Sequence, residues 1–248
     1  MLFRRIYQFL LIYFAGLLFL LIVKYVLSLS DYVIPGVGTL WRTVAETLSP
    51  YTYDVFSTLY VAIIGQILSI FLAFMIGIFG RKTSWLGSFI KVAAYNIQAY
   101  PIVAIAPIIF ILFGDGFFSR LLIAAMICYF PLLLSVVGIL ADPIAEIEHF
   151  YIQTGRMRWQ LEVKIRAFEN LPKLTTVIAG SATLAMAGTI VAEFIAASAG
   201  IGYSIRIALY QSDLSKILVA LFMIGITLSI YQGLLESAGR LVKRAWER

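Results

Sequence analysis

The chain has 248 residues, a formal net charge of +6, 62% hydrophobic residues and only 13% charged ones, with a mean hydropathy of +0.96. Soluble domains carry roughly 45–50% apolar residues, so this composition excludes a water-soluble globular protein. A single Cys128 excludes a disulfide framework within the chain, and a single histidine, His149, excludes a two-histidine metal site.

The predicted elements, in chain order, begin with Arg4 and Arg5 ahead of an apolar run at about 6–29. That layout is like a signal peptide, but the run is too long and has no small-residue cleavage site, so it is expected to remain as an anchor. Further apolar stretches follow at about 57–79, 85–113, 118–141, 174–198 and 215–236, each near or above the roughly 20 residues needed to cross a bilayer. The third contains Pro101 and Pro107, which predicts a bent span with its first half near the interface. Six spans are expected.

Lysine and arginine set the orientation. One set of segments holds Arg4, Arg5, Arg81, Lys82, Lys91, Arg156, Arg158, Lys164, Arg166, Lys173, Arg240, Lys243, Arg244 and Arg248; the other holds Lys24, Arg42, Arg120, Arg206 and Lys216. The first set is expected to be cytosolic. Both termini then lie inside, in agreement with an even number of spans. This asymmetry and attraction to anionic lipid explain the net charge without nucleic acid.

The segment about 142–173 is the long charged interruption. Asp142-Pro143 predicts a helix start, Gly155 a stop, and about Arg158–Phe168 a second short helix that Asn170 and Pro172 break. The result is a helix-turn-helix elbow carrying Ile147, Phe150, Tyr151 and Trp159 beside Arg156 and Arg158. Apolar knobs on a charged elbow fit a protein partner. The same composition also fits an interfacial helix lying on lipid head groups.

These residues resemble a known family, the ABC importer permeases. Gly155, Ile165 ten positions later, Leu171-Pro172 and the central run Arg158-Trp159-Gln160-Leu161 are similar to the cytoplasmic loop of the nitrate, sulfonate, taurine and bicarbonate group. The resemblance covers about Ile34 to Ile230. It includes Tyr100 to Pro107 followed by Phe113-Gly114-Asp115-Gly116, Cys128 to Pro131, Val191-Ala192-Glu193 and Gly200 to Tyr203. Each motif is weak singly, and their common order makes the signal specific. Two departures stand out: His149-Phe150-Tyr151 replaces the family's E-A-A, and Ala167-Phe168 replaces its first L-P.

In the fifth span Ser181, Ala185, Thr189, Glu193 and Ala197 recur every four residues, forming one small and polar stripe. Such a stripe either packs closely against another helix or lines a passage. Glu193 favours a functional role, because a carboxylate in a span costs on the order of 2.5–3.5 kcal/mol unless paired or wetted. Gln66, Ser69, Tyr95, Asn96 and Gln98 are further candidates for a cavity lining or for interhelical hydrogen bonds. No lysine or arginine falls in the middle of a span, so a tight anion site is not expected and the substrate is expected to be held loosely. Gly80-Arg81-Lys82-Thr83 lacks the glycine spacing of a phosphate loop, and Gly200-Ile201-Gly202 is not a dinucleotide fingerprint.

The expected fold class is all-α: a single polytopic membrane domain, 1–248, of about six transmembrane helices with a cytoplasmic helix-turn-helix coupling loop at about 142–173. The resemblance implies a non-enzymatic importer subunit in the plasma (cytoplasmic) membrane, translocating a small solute of the sulfonate, taurine or nitrate kind. It implies a cytosolic ABC ATPase, a second permease chain and an extracytoplasmic binding protein as partners, with no cofactor in this chain and ATP on the ATPase. The coupling residues would be Phe150, Tyr151, Gly155, Arg156, Arg158, Trp159, Gln160, Ile165 and Pro172. Ser181, Thr189, Glu193, Asn96 and Gln98 would line the path. An ATPase-independent carrier or channel is the alternative reading, although neither inverted repeats nor midplane charges are evident. A membrane scaffold is a third.

Overall fold

The computed structural model describes residues 2–80, 85–98, 100–142, 149, 153 and 159–246. Among them every regular element is a helix: α1 (Leu2–Val26), α2 (Val37–Gly80), α3 (Trp85–Gln98), α4 (Ile102–Phe113), α5 (Phe117–Ala141), α6 (Trp159–Glu169), α7 (Leu171–Ile195), α8 (Ile201–Tyr210) and α9 (Leu214–Trp246). Five of these, α1, α2, α5, α7 and α9, are long and apolar enough to cross a membrane. The pair α3–α4 makes a sixth crossing if counted as one.

That pair is bent by 86° where Pro101 stands before α4. Proline fixes φ and restricts the residue before it, so the break expected within 85–113 falls there. At 12 residues α4 is about 18 Å long, too short to cross a roughly 30 Å hydrocarbon layer alone.

The second helix corrects the expectation. Its apolar run starts near 57, yet the helix begins at Val37 and continues for 44 residues, through Pro50. In its polar first half the threonine hydroxyls are satisfied within the helix, bonding carbonyls one turn back: Thr43 to the Thr39 carbonyl at 3.0 Å, Thr47 to Thr43 at 2.7 Å and Thr52 to Leu48 at 2.6 Å. A buried stripe from Thr43 through Thr47, Tyr51, Val55 and Thr58 to Gly65, Ser69, Ala73 and Gly77 gives this length one continuous inward face.

The core is the triad α2, α5 and α7, flanked by α9. Cys128, Leu132, Val136, Val137 and Leu140 of α5 meet Ala62 and Ala73 of α2 and Ala185 and Met186 of α7. Small residues on α2 and α7 let the backbones approach, the usual packing where lipid offers no hydrophobic drive between helices. Around this core, α1 is attached at the edge. Arg5 bonds Gln232 at 2.6 Å and pairs with Glu236, Phe9 lies over Gly225, and the Tyr13 hydroxyl donates to the Leu218 carbonyl at 3.0 Å. Arg5, Phe9 and Tyr13 share one face at i, i+4 and i+8, so α1 docks along α9 by a single seam.

Candidate functional site

At the end of α7, Glu193 is fully buried at 0% exposure. Three elements aim donors at its carboxylate. The Thr58 hydroxyl of α2 lies 2.8 Å from one oxygen, the Gly202 N–H of α8 donates at 3.0 Å, and an Arg120 N–H of α5 stands at 3.4 Å. The Thr58 oxygen in turn accepts from the Ile201 N–H at 3.0 Å. Ile201 and Gly202 open α8, so these are N–H groups that the helix itself leaves unpaired, at the end where its dipole favours an anion. Hydrogen bonds to charged groups contribute about 1.5–3 kcal/mol each, enough for three to offset the burial of one carboxylate.

The chain reaches this arrangement through Gly200, whose φ of +94° is a left-handed conformation that favours glycine. A Cβ there would also run into the Glu193 carboxylate. On the return, Arg206 of α8 donates to the carbonyls of Phe194 (3.2 Å) and Ala197 (2.7 Å), satisfying acceptors at the end of α7. Ser204 bonds Asp54 of α2 at 2.5 Å. One carboxylate and its surroundings therefore fasten the middle of α2 to the start of α5, the end of α7 and the start of α8.

The rest of the α7 stripe is a packing seam within the chain. Ser181, Ala185, Thr189 and Ala197 are all buried, at 3% exposure or less. Ser181 accepts from Gln66 at 3.0 Å and Gln66 also donates to the Ile178 carbonyl at 2.8 Å, while the Tyr231 hydroxyl donates to Gln66 at 2.7 Å. Thr189 bonds the carbonyl of Ala185 at 2.9 Å. Of the two readings of the stripe, close packing is the one this chain displays. Asn96 sits apart, exposed on α3, which packs on α2 and α5; Gln98 ends that helix. Of the residues expected on one path, Ser181, Thr189 and Glu193 are thus buried in the interior, while Asn96 lies on an open face.

At the opposite end, α6 forms the part of the elbow that the structure describes. It starts at Trp159 and Gln160, one residue from the expected boundary, and carries a half-buried Ile165. Asn170 separates it from α7, and Pro172 lies in the first turn of α7, where a missing N–H costs nothing. Arg166 donates to the Asp142 carbonyl at 2.5 Å and Lys173 pairs with the Asp142 carboxylate at 2.8 Å, so α6 and α7 are tied to the end of α5. Phe150, Tyr151, Gly155, Arg156 and Arg158 lie outside the described residues.

Sequence reasoning named Glu193 but none of its partners. Arg120 stood only among the outer cations, and nothing in its spacing links it to a carboxylate 73 residues on. The one local signal was chemical: a carboxylate in an apolar span demands a donor.

The sequence of this helical bundle matches a known family. The sequence pattern of the binding-protein-dependent transport system inner membrane components fits residues 65–246, well over half of the chain. The chain belongs to this family. The permease is 40% identical over 167 residues to the riboflavin transport system permease protein of Chloroflexus aurantiacus, covering 66% of this chain and 60% of that protein. It is 24% identical over 202 residues to the formylaminopyrimidine transport permease protein of Halalkalibacterium halodurans, with 79% of each covered. A putative aliphatic sulfonates transport permease protein of Bacillus subtilis is 24% identical over 191 residues, 75% of this chain and 66% of that protein. The permease therefore spans about three fifths of the riboflavin relative's length.

Proposed function

We propose that the permease is the membrane subunit of an ATP-binding cassette importer, moving a small solute handed over by an extracytoplasmic binding protein. A separate cytosolic ATPase drives it, and α6 with the residues before it forms the docking elbow. The match to the family over 65–246 carries this reading, because it covers the elbow and the whole α5–α9 core. In support, Arg166 ties the elbow's second helix to Asp142 at the end of α5, and Lys173 ties the start of α7 to the same residue, so a push on α6 would reach the core directly. Cytosolic termini and a second permease chain completing the passage belong to the same proposal.

For the substrate we favour a neutral heteroaromatic solute over a sulfonate. The relative at 40% identity is a riboflavin permease, and the sulfonate relative stands at 24%. The charges point the same way. A sulfonate calls for a cation with bonding capacity to spare, while Arg120 and Arg206, near the outer ends of the core helices, are already engaged by Glu193 and by backbone carbonyls.

Uptake of labelled riboflavin and of labelled taurine by cells expressing the permease with its neighbouring binding protein and ATPase tests both levels. ATP-dependent uptake of riboflavin alone supports the whole reading, and uptake of taurine alone overturns the substrate. Failure of the tagged permease to bring down an ATPase, together with unimpaired uptake by Gly155→Val, would favour the self-sufficient carrier.

A further inference from the structure

Along the contact between α5 and α7, a cleft of about 140 Å³ opens onto the surface of the chain. Pro131, Leu132 and Ser135 of α5 form one wall, and Gly180, Ser181 and Leu184 lie on the α7 side. Gly180 comes nine residues after Leu171, where α7 begins. At 1.5 Å per residue that is about 14 Å, close to the middle of a hydrocarbon layer roughly 30 Å thick.

The surface around this cleft differs from the exposed face of α2, where Phe56, Ile67 and Phe71 are 60%, 59% and 59% exposed. Past its first turn, the exposed positions of α7 are Thr176, Gly180, Thr183 and Ala187, which share one face at the helical period. The matching face of α5 carries Pro131, Ser135 and Gly138. Neither face offers a large aliphatic or aromatic side chain to lipid. Polar groups lie there instead. Pro131 has no N–H, so the Ile127 carbonyl one turn back lacks the donor that position 131 of the helix would otherwise supply. The Ser135 hydroxyl donates to the Pro131 carbonyl at 2.9 Å, and a hydroxyl oxygen that donates can still accept. At this depth such groups belong inside protein or along a watery cavity, not against acyl chains.

We propose that this cleft is a solute-contacting wall of the passage, taking an uncharged solute that donates an N–H or O–H to Ser135 Oγ and rests its apolar body against Gly180 and Leu184. The inference rests on the importer reading, whose second permease chain would close the open side. It turns the passage away from the buried stripe of α7 to the open face, about 100° round the helix. No charged side chain lines the cleft, so a charged solute would lose water there without a counter-charge. Gly180 keeps the wall low: a Cβ added there meets nothing within 4 Å.

The test uses the full-length permease in membrane vesicles, with one cysteine added at a time and a charged methanethiosulfonate reagent that reacts with thiols in water. Ser135→Cys and Gly180→Cys probe the cleft, and Ile67→Cys is the control on α2. The native Cys128 is buried and sets the background. Labelling of the two cleft cysteines but not of Ile67→Cys is expected, slowed several-fold by riboflavin and unaffected by taurine. In uptake assays, Ser135→Ala should raise KM by about fivefold at an unchanged maximal rate. Gly180→Leu, for which the fold has room, should lose most of the uptake while thermal unfolding and ATPase co-purification stay as they were. Labelling of neither cleft cysteine overturns the proposal. A disulfide between two Gly180→Cys chains without labelling does so too, and assigns the face to a contact between copies. Slowing by taurine and not riboflavin overturns the uncharged class, and slowing by neither overturns solute contact. Labelling needs no ATPase, so a permease that labels as expected without ATP-dependent uptake overturns the importer reading and leaves the cleft standing.

Discussion

Thr58 and Glu193, 135 positions apart in sequence, share a hydrogen bond of 2.8 Å inside the protein, and the same hydroxyl accepts the first N–H of α8. One side chain on α2 thus joins the end of α7 to the start of α8. Because Thr58 is fully buried, nothing else replaces it when it is lost.

Thr58→Val should leave both the carboxylate and the Ile201 N–H short of a partner, at a cost of about 2–4 kcal/mol. Thermal unfolding in detergent measures it. In the Glu193→Gln background the same substitution should cost less by about 1 kcal/mol or more, the coupling that a double-mutant cycle reports for groups in one network.

Arg120 supplies the charge that balances Glu193. Arg120→Met should destabilise the permease by about 3–5 kcal/mol if the carboxylate is left buried without its cation. Adding Glu193→Gln removes the stranded charge and should recover part of the loss. A double variant no more stable than Arg120→Met would show that the pair is not coupled.

Gly200 combines a left-handed backbone with close contact to the Glu193 carboxylate. Gly200→Ala is expected to cost more than the roughly 1 kcal/mol of left-handed strain, because the added methyl also displaces the carboxylate. Helix α8 should loosen first. Faster tryptic cleavage at Arg206, with the rest of the chain still resistant, is the expected pattern.

Arg166 pins α6 to the last turn of α5. Arg166→Met should lower ATP-dependent uptake by about tenfold, the scale of a typical coupling free energy, while the ATPase still co-purifies. Loss of ATPase binding instead would place Arg166 in the docking surface itself.

A leucine at position 225 would occupy the space of the Phe9 ring. Gly225→Leu should therefore release α1 from α9 while the core stays folded, since no residue in the apolar stretch of α1 is fully buried. Chemical cross-linking between cysteines placed at Arg5 and Gln232 should fall several-fold, with thermal unfolding of the core moved by less than about 1 kcal/mol.

Much of this was legible from residues one at a time. Runs of apolar side chains announce membrane helices because hydropathy adds along a segment, and Pro101 marked the break between α3 and α4 through its own ring. Asn170 and Pro172 likewise marked the junction of α6 and α7. The polar half of α2 escaped notice because low hydropathy hides a helix whose threonine hydroxyls bond its own carbonyls. The periodic stripe on α7 was visible, but periodicity states only that residues share a face. Whether that face meets lipid, a passage or another helix depends on what lies opposite.

The sequence by itself determined an all-helical membrane protein with a charged elbow, because apolar length, proline position and charge placement are local properties. Only the tertiary structure decided that Thr58, Arg120 and Gly202 meet at Glu193, that the stripe is a packing seam, and that Arg5 reaches Glu236. Those contacts join positions 135, 73, 9 and 231 apart. No local period encodes such pairings; they are set by how the helices pack, and burial then makes each one obligatory, since a charge or donor removed from water must find its partner inside.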